Sequence, residues 1–293
     1  MTWIVLRNPN AGWRGPSPAV IEAAFREHGI SAEIHTTQTL GDVDRIVARE
    51  HRAGRTKFVA AGGDGTVHSL VNALLGHPWE TPPTVGVLPL GSGSDFLRTF
   101  AIPQDWRKAL THLIGEDLYL CDAGRIEGTF GERFFVNVAD IGVAGAAVKW
   151  SGRLPRIIGK LRYTAGFWIA LAGFPSRQVT VETDRKTIDA KAINIVVANG
   201  QFFGGGMNIA PQAALTDGLL DVEVFTGQRR QAFSVMPRVV KGLHLRHASV
   251  QTARSERVVI TCPVSWPVEA DGELLGTGPV TISAVARAFY LKI

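Results

Sequence analysis

The chain has 293 residues, of which 45% are hydrophobic and 19% are charged. This composition is that of an ordinary globular protein and excludes a disordered chain. The two cysteines, Cys121 and Cys262, lie far apart, which excludes a disulfide framework and favours a reducing, cytoplasmic compartment. The longest apolar run, residues 166–175, is about half as long as a membrane-spanning helix needs to be. Arg7 directly follows the short apolar segment 2–6, so we expect no secretory signal.

The first part of the chain alternates between strand and helix patterns. Strand patterns cover Trp3–Arg7, Ala32–Thr36, 57–61 and 84–88, and helical spacing of apolar residues covers 19–27, 42–52 and 67–75. Strand, turn and helix repeated in this order predict a parallel sheet with helices on both faces. We therefore predict an α/β domain over residues 1–121.

Beyond residue 122 short apolar or alternating runs dominate. Strand patterns cover 134–139, 178–183, 193–198, 219–225, 258–261, 268–270 and 280–284, and helical stretches lie near 157–172 and 231–244. Short strands separated by turn residues favour antiparallel pairing. We therefore predict a second, β-rich and mostly antiparallel domain over residues 122–293.

Two glycine-rich turns stand between a predicted strand and a predicted helix. Residues 62–66 read Gly-Gly-Asp-Gly-Thr, and residues 91–95 read Gly-Ser-Gly-Ser-Asp. Glycine lets the backbone approach a ligand closely, and the free N–H groups at a helix start bind anions such as phosphate. Each turn also carries an aspartate, Asp64 or Asp95, and carboxylates near phosphate call for Mg²⁺ between them. A single turn of this kind also occurs for packing alone, but the pair predicts a nucleotide site.

The glycine turns do not match two common nucleotide-binding motifs. Neither reads Gly-x-x-x-x-Gly-Lys-Ser/Thr, and no Gly-x-Gly-x-x-Gly follows the first strand. The sequence therefore argues against a P-loop enzyme and against an ordinary dinucleotide dehydrogenase.

An ordered series of motifs resembles the diacylglycerol kinase catalytic family, which includes bacterial lipid kinases and sphingosine kinases. Residues 8–12 resemble its Asn-Pro-x-Ser-Gly, residues 62–66 match its Gly-Gly-Asp-Gly-Thr, and residues 90–96 resemble its Leu-Gly-Thr-Gly-Asn-Asp-Phe. Asp-Gly-Leu-Leu-Asp at 217–221 and Asp-Gly-Glu at 271–273 follow in family order. The resemblance implies a Rossmann-like parallel α/β domain, as in NAD kinases and diacylglycerol kinases, followed by a mostly antiparallel β-sandwich domain.

The resemblance also implies an activity, the transfer of the γ-phosphate of ATP to a hydroxyl of a membrane lipid. ATP would lie in the cleft between the domains. The residues expected around the nucleotide lie in the loops that match the family: Asn8, Thr37, Gly62, Gly63, Gly65, Thr66, Gly91, Ser92, Gly93 and Ser94. Ala11 stands where the family has serine and Ser94 where it has asparagine, so we expect altered nucleotide contacts.

The remaining implied residues are acids. Asp64 and Asp95 would engage catalytic Mg²⁺, and Asp122 falls at a family aspartate linked to that network. Asp271 would be the general base for the lipid hydroxyl, supported by Glu273, with Asp64 as the rival base. Without the family, Asp-Gly-Glu is also typical of a hairpin turn.

A second, structural ion is implied near residue 217. The Asp217 carboxylate would bind Mg²⁺ or Ca²⁺ together with the backbone carbonyls of Ala214 and Leu219, since oxygen ligands on a tight loop suit these ions. Without the family this segment is typical of a plain turn.

The net charge of +5 is concentrated in the stretches 149–177 and 229–254, which contain no acidic residue. Such stretches suit an anionic membrane surface, and the aromatic segment 150–174, with Trp150, Tyr163, Phe167 and Trp168, is the expected docking element. A solvated face and a helix that packs on the protein are the plain alternatives. Nucleic acid is not expected as a partner, because no docking motif accompanies the basic residues. The sequence is compatible with a homodimer and does not determine the oligomeric state.

Two other functions compete with lipid kinase activity. An NAD kinase shares Gly-Gly-Asp-Gly-Thr, but it more often has Asn-Glu downstream of that loop, and this chain has no Asn-Glu. A non-catalytic lipid- or nucleotide-binding protein would explain Ala11 and Ser94, but Asp64 and Asp271 are both present. The sequence does not name the lipid.

Overall fold

The computed structural model describes residues 2–11, 15–91, 95–155 and 161–293, with only the backbone described at position 161. The chain forms two compact units, one of Met1–Asp122 with Ala286–Ile293 and one of Ala123–Val285. Sequence analysis placed residues 286–293 in the second domain. They belong to the first unit because the end of the last strand pairs in parallel with Thr84 and Val85.

A parallel sheet forms the centre of the first unit. Its strands are β1 (Trp3–Arg7), β2 (Ala32–Thr36), β3 (Lys57–Gly62), β4 (Thr84–Pro89) and the end of the last strand, Val280–Lys292. Their order is β2, β1, β3, β4 and then the last strand, and all these pairs are parallel. The central strands β1 and β3 are almost wholly buried, as their unbroken apolar runs predict.

The helices of the first unit are α1 (Pro18–Glu27), α2 (Leu40–Arg52), α3 (Asp64–Leu75), α4 (Asp95–Thr99) and α5 (Trp106–Thr111). Helix α1 starts with a proline after Ser17, whose hydroxyl accepts from the backbone N–H of Val20. Helix α2 starts with a capping box between Thr39 and Asp42. These capping interactions determine the residues at which α1 and α2 begin.

Antiparallel strands dominate the second unit. They are β5 (Leu118–Gly128), β6 (Gly131–Phe135), β7 (Val138–Gly142), β8 (Arg177–Thr183), β9 (Thr187–Ala198), β10 (Phe202–Phe203), β11 (Met207–Asn208), β12 (Leu220–Thr226), β13 (Val250–Ser255), β14 (Arg257–Thr261), β15 (Pro267–Ala270), β16 (Glu273–Thr277) and β17 (Val280–Lys292). The order is β16, β15, β7, β9, β8, β14, β17, and β12 joins β9 to β13. The chain passes between the units within β5 and within β17.

Helices α6 (Val143–Arg153), α7 (Leu161–Gly173) and α8 (Ala232–Val240) belong to the second unit. Helices α6 and α7 pack together, and Gly166 allows the close approach, since a Cβ there would lie 2.7 Å from the carbonyl oxygen of Ala147. Among the described helices none has the length and apolarity that crossing a membrane requires. The parallel first half and antiparallel second half confirm the predicted fold class.

Candidate active site

The first glycine loop forms where strand β3 becomes helix α3. Gly62 ends the strand, and Gly63 is the residue before the helix, with its carbonyl accepting the N–H of Thr66 at 2.9 Å. Gly62 has no room for a side chain, because a Cβ there would overlap Oγ1 of Thr66. Gly65 is different, since a Cβ there would meet nothing within 4 Å. The loop therefore needs glycine at Gly62 for packing.

The second glycine loop lies directly against the first. The backbone N–H groups of Leu90 and Gly91 both donate to the carbonyl of Gly62, at 2.9 and 3.2 Å. A Cβ on Gly91 would lie 2.6 Å from Cα of Gly63, which is main chain and cannot rotate away. The structure thus brings the two loops together. The predicted residues Ser92, Gly93 and Ser94 lie outside the described part of the chain.

Asp64 connects the two loops. Its carboxylate accepts the backbone N–H of Asp95 at 3.1 Å and that of Phe96 at 3.4 Å, at the start of helix α4. Asp95 is buried, and its Oδ1 lies 3.5 Å from Nε of Arg98. Asp64 and Asp95 thus supply carboxylate oxygens after the carboxyl ends of β3 and β4, and Mg²⁺ takes such oxygens together with phosphate. The residues present therefore fit the predicted ion.

Asn8 and Thr37 lie at the same edge of the sheet. The side-chain amide of Asn8 donates to Oγ1 of Thr66 at 3.4 Å, and its backbone N–H donates to Ala61 at 3.1 Å. Thr37 is buried and donates both its backbone N–H and its hydroxyl to the carbonyl of Arg7, at 2.9 and 3.3 Å. Asn8 thus contacts the first glycine loop, and Thr37 contacts the end of β1.

Asp122 lies on β5 and is almost fully buried. Its Oδ1 accepts the backbone N–H of Arg287 at 2.7 Å, where the backbone of β17 takes a positive φ of 57°. This contact holds the two strands through which the chain leaves and re-enters the first unit. Its predicted link to the metal network stays a prediction.

Asp271 and Gly272 form the turn between β15 and β16, which agrees with the interpretation of Asp-Gly-Glu as a hairpin turn. Asp271 and Gly272 have positive φ angles of 48° and 87°. The Asp271 carboxylate accepts three backbone N–H groups, from Val136 at 2.8 Å, Asn137 at 2.9 Å and Val138 at 3.1 Å. It therefore fixes the start of β7 as well as its own turn, and Glu273 begins β16 beside it.

A buried pair of carboxyl groups lies next to this turn. Asp140 on β7 and Glu269 on β15 are register partners, and both are about fully buried. The Asn194 side chain donates to Oδ1 of Asp140 at 2.7 Å and accepts the N–H of Ala144 at the start of α6. Glu269 accepts the N–H of Gly272 at 2.8 Å.

The protonation of this pair follows from its surroundings. Burial raises the pKa of Asp140 to about 6, although the hydrogen bond from Asn194 opposes the shift. Burial and the neighbouring charge of Asp140 raise the pKa of Glu269 well above its ordinary value. Both shifts favour the protonated form of these carboxyl groups, because ionising either one in a buried place is costly. Sequence analysis missed both residues; the only signal was an acid inside each of two apolar strands.

Asp140 and Asn194 lie at the wall of an apolar cavity of about 50 Å³ in the second unit. The cavity lies between strands and the helices α6, α7 and α8, and its apolar lining includes Val143, Phe167, Met207, Phe225, Val235 and Met236. Tyr163 also lines it. Its hydroxyl is buried, and no residue in the described part of the chain forms a hydrogen bond with it. Burial together with the charges of Asp140 and Glu269 raises the pKa of that hydroxyl.

The predicted structural ion site holds an arginine. Arg254 forms ion pairs with Asp217 and with Asp221, the latter with Nε 3.3 Å from Oδ2. The Asp217 carboxylate also accepts the backbone N–H of Leu219 at 3.0 Å. The guanidinium thus supplies positive charge where the ion was expected, and a cation would have to displace it. The ligand set of Asp217 with the carbonyls of Ala214 and Leu219 stays a prediction.

Comparison with known proteins agrees with this architecture. The model of the diacylglycerol kinase catalytic domain matches residues 2–126, and that of the YegS C-terminal NAD kinase beta sandwich-like domain matches residues 137–292. The diacylglycerol kinase of Bacillus subtilis (strain 168) is 26% identical over 258 residues, 87% of this chain and 83% of that protein. The lipid kinase YegS of Escherichia coli (strain K12) is 29% identical over 226 residues, 75% of this chain and 71% of that protein.

A solved structure has the same fold. The crystal structure of a diacylglycerol kinase from Bacillus anthracis str. Sterne aligns with a TM-score of 0.71 at 21% identity, covering 99% of this chain and 96% of that one. The two domain models, in the order found here, account for nearly the whole chain. The chain therefore belongs to the lipid kinase family that combines a diacylglycerol kinase catalytic domain with a YegS-type C-terminal domain, a family of phosphotransferases.

Proposed function

We propose that the protein transfers the γ-phosphate of ATP to a hydroxyl of a membrane lipid. The observation that carries the proposal is the backbone contact between the two glycine loops, with Asp64 and Asp95 beside it. Paired glycine turns at the carboxyl edge of a parallel sheet offer close backbone approach and helix-start N–H groups to phosphates. The names of the B. subtilis and E. coli relatives, a diacylglycerol kinase and a lipid kinase, agree with this acceptor class.

In this proposal the first unit holds the nucleotide. Asn8 and Thr66, which are hydrogen-bonded to each other, would lie beside the phosphates with Gly62, Gly63 and Gly91. Asp64 and Asp95 would hold Mg²⁺, which when bound supplies the neutralisation of phosphate charge that phosphoryl transfer needs. Asp64 is already oriented by two backbone N–H groups, so its carboxylate needs little rearrangement to act.

Asp271 is the proposed base, and Asp64 is its rival. The lipid hydroxyl oxygen forms the new bond to phosphorus while the bond to the ADP oxygen breaks, and the hydroxyl proton passes to the base. Three backbone donors fix the orientation of the Asp271 carboxylate. A carboxylate can accept about four hydrogen bonds, so this anchoring is compatible with accepting a proton.

The apolar cavity of the second unit is the proposed site for the lipid hydrocarbon. Its volume of about 50 Å³ is small for an acyl chain, so the lining side chains must move apart when a lipid enters. Met207 and Met236 suit such movement, because methionine is unbranched and repacks easily. Helix α8 lines the cavity with Val235 and Val239 and carries exposed apolar side chains elsewhere on its surface.

We propose that α7 and α8 contact an anionic membrane. Phe233 and Leu243 are 67% and 66% exposed, and the ring of Trp168 stacks on Phe233 with centroids 4.9 Å apart. Exposed basic residues lie on α8 or close to it in the sequence: Arg229, Arg230, Arg238, Lys241 and Arg246. Of the rings expected at the membrane, Tyr163 and Phe167 line the cavity instead. Apolar side chains ringed by cations are typical of interfacial binding.

The test is transfer of labelled phosphate from ATP to a panel of lipids in mixed micelles. We expect label in a lipid with a free hydroxyl, and a loss of about 10²–10⁴-fold with Asp271→Asn, the usual effect of removing a general base. Loss with Asp64→Asn and full activity with Asp271→Asn would make Asp64 the base. Label in NAD and in no lipid would establish an NAD kinase, and ATP binding without transfer to any acceptor would contradict kinase activity.

A further inference from the structure

The cavity of the second unit has polar groups in a mostly apolar wall. Asp140, Asn194 and Tyr163 line it, and the other polar lining residues are Thr226, Gln228, Gln231 and Ser249. Asp140 has no exposed surface, and its Oδ1 accepts from Asn194. Its Oδ2 has no N–H or hydroxyl donor among the described residues. The partner of Oδ2 is therefore either the proton of Glu269 or a group that enters the cavity.

The Tyr163 hydroxyl is a second polar atom with an unmet requirement. It is buried, and no described residue bonds to it. Burying a hydroxyl without a hydrogen bond costs roughly 1–3 kcal/mol, so such a group usually marks a place that a ligand or water fills. Asp140 lines the same cavity as Tyr163, and the charges of Asp140 and Glu269 contribute to the raised pKa of the hydroxyl.

The charge of the pair narrows the ligand chemistry. Of the described residues, no lysine, arginine or histidine forms an ion pair with Asp140 or Glu269. A buried carboxyl group in the wall of an apolar cavity attracts a hydrogen-bond donor and, when ionised, repels an anion. A hydroxyl can donate to Asp140 and accept from Tyr163, and a protonated amine can donate to Asp140 and neutralise its charge.

We propose that Asp140 and the Tyr163 hydroxyl select the head group of the bound amphiphile, favouring a hydroxyl or a protonated amine over an anionic group. This inference deepens the proposed function, because it takes the cavity as the site of the lipid. Glu269 acts through Asp140 as a positioning residue, since it is the register partner of Asp140 on the neighbouring strand. Through Gly272 it also connects the head-group site to the turn that carries Asp271.

The experiment measures binding by calorimetry without ATP, using 1-decanol, decylammonium and decanoate, which share one chain and differ in head group. We expect decanol and decylammonium to bind at least about tenfold more tightly than decanoate, a difference of about 1.4 kcal/mol. In Asp140→Asn this preference should fall to within about twofold. In Tyr163→Phe decanol should weaken about fivefold while the preference for decylammonium over decanoate persists.

Asp189→Asn is the matched control, because Asp189 is an exposed aspartate on β9, the strand that carries Asn194. It should bind all three probes as the wild type does. Circular dichroism of each variant establishes that it folds. If Asp140→Asn does not fold, the pH dependence of decylammonium binding to the wild type tests the inference instead.

Decylammonium affinity of the wild type should fall as the pH drops below about 6, where Asp140 takes up a proton. The groups that act on this site are Glu269 on β15, Tyr163 on α7, and Glu223 on β12, which is hydrogen-bonded to His244. The Glu223 carboxyl has a raised pKa mainly because it is buried. An additional carboxyl, Asp271, acts on Glu269.

Equal binding of all three probes by the wild type would overturn the inference, as would a head-group preference that survives in Asp140→Asn. Because no ATP is present, the result is independent of phosphoryl transfer. Selective binding combined with no transfer to any lipid would refute the proposed kinase activity and leave the head-group site standing. Phosphate transfer to a lipid combined with equal binding of the three probes would support the kinase activity and refute the head-group site.

Discussion

Single carboxyl groups in this protein do structural work that their sequence motifs do not reveal. Asp64 accepts the first N–H groups of α4, and Asp271 accepts three N–H groups around the start of β7. Each aspartate thus joins two loops that are far apart in sequence. Replacing either one is expected to loosen these loops as well as to affect chemistry, so a loss of activity needs a structural control.

The Asp140–Glu269 pair makes stability depend on pH. Each carboxyl group has a higher pKa in the folded chain than in the unfolded chain. At a pH between the unfolded-state pKa and the folded-state pKa of a group, the folded chain therefore binds more protons than the unfolded chain. Their contribution is therefore largest at low pH and declines as the pH rises through about 6.

Glu269→Gln removes the contribution of Glu269 to the pH dependence of stability. Glutamine mimics the protonated carboxyl group and can still accept the N–H of Gly272. The variant should gain stability relative to wild type as the pH rises from acidic to neutral, by about 1.4 kcal/mol for each unit of pKa shift removed. Urea unfolding at a series of pH values measures the difference. Glu182→Gln, at an exposed position on β8, is the control, and a pH-independent difference for Glu269→Gln would contradict the protonation scheme.

Helices and strands mostly form where local patterns predict them. The parallel strands and α1 to α3 lie within a few residues of their predicted positions. The predicted strand 134–139 is wrong in detail, because it spans the end of β6 and the start of β7. The chain breaks there because Asp271 takes the N–H groups of residues 136–138. Helix α6 was missed, since its start at Gly142, with φ of 126°, and its alanines give a weak pattern.

The contact between the glycine loops gives a prediction at this scale. Gly91→Ala would push a Cβ against the main chain of Gly63, and overpacking of this kind costs about 1–3 kcal/mol. Gly65→Ala is the matched substitution without a clash, and alanine within helix α3 should stabilise by up to about 1 kcal/mol. Thermal unfolding should therefore place Gly91→Ala below wild type and Gly65→Ala at or above it. Equal melting temperatures for the two variants would refute the close loop contact.

The ion pairs of Arg254 with Asp217 and Asp221 give a second prediction at the scale of loops and strands. Arg254 neutralises Asp217 and Asp221, so Ca²⁺ should leave the melting temperature of the wild type nearly unchanged. Arg254→Gln frees both carboxylates, and saturating Ca²⁺ at about 100 times its Kd should then stabilise by about 2.7 kcal/mol. Arg257→Gln on neighbouring β14 serves as the control. Strong Ca²⁺ stabilisation of the wild type would instead support the structural ion that the family resemblance implies.

The first unit carries the two glycine loops, and the second unit contains the apolar cavity. The excess positive charge of the chain lies on the second unit. The basic residues on and next to α8 are exposed, and so are the apolar side chains of Phe233, Val240 and Leu243 in the same segment. Under the proposed function, the surface near α8 is where the protein would meet a lipid held in a membrane.

Sedimentation with vesicles measures that encounter. The wild type should bind vesicles with anionic lipid, and binding should weaken as salt rises because surface charges are screened. Phe233→Ser with Arg230→Gln should lower the partition coefficient about tenfold, since each cation near the surface contributes about 1 kcal/mol and the ring adds burial. Val264→Ser is the control, an exposed apolar residue outside α7 and α8. Unchanged binding by the double variant would place the membrane contact elsewhere.

The sequence by itself determined the order of strands and helices in the first unit, the two glycine loops and the family, because these depend on residues close together in the chain. Tertiary structure alone decided which distant residues meet. Strand pairing brought Glu269 beside Asp140, the Asp271 turn onto the start of β7, and Arg254 onto Asp217. It also returned the C-terminal strand to the first unit, because a strand finds its partner by hydrogen bonding across the fold and not by position along the chain.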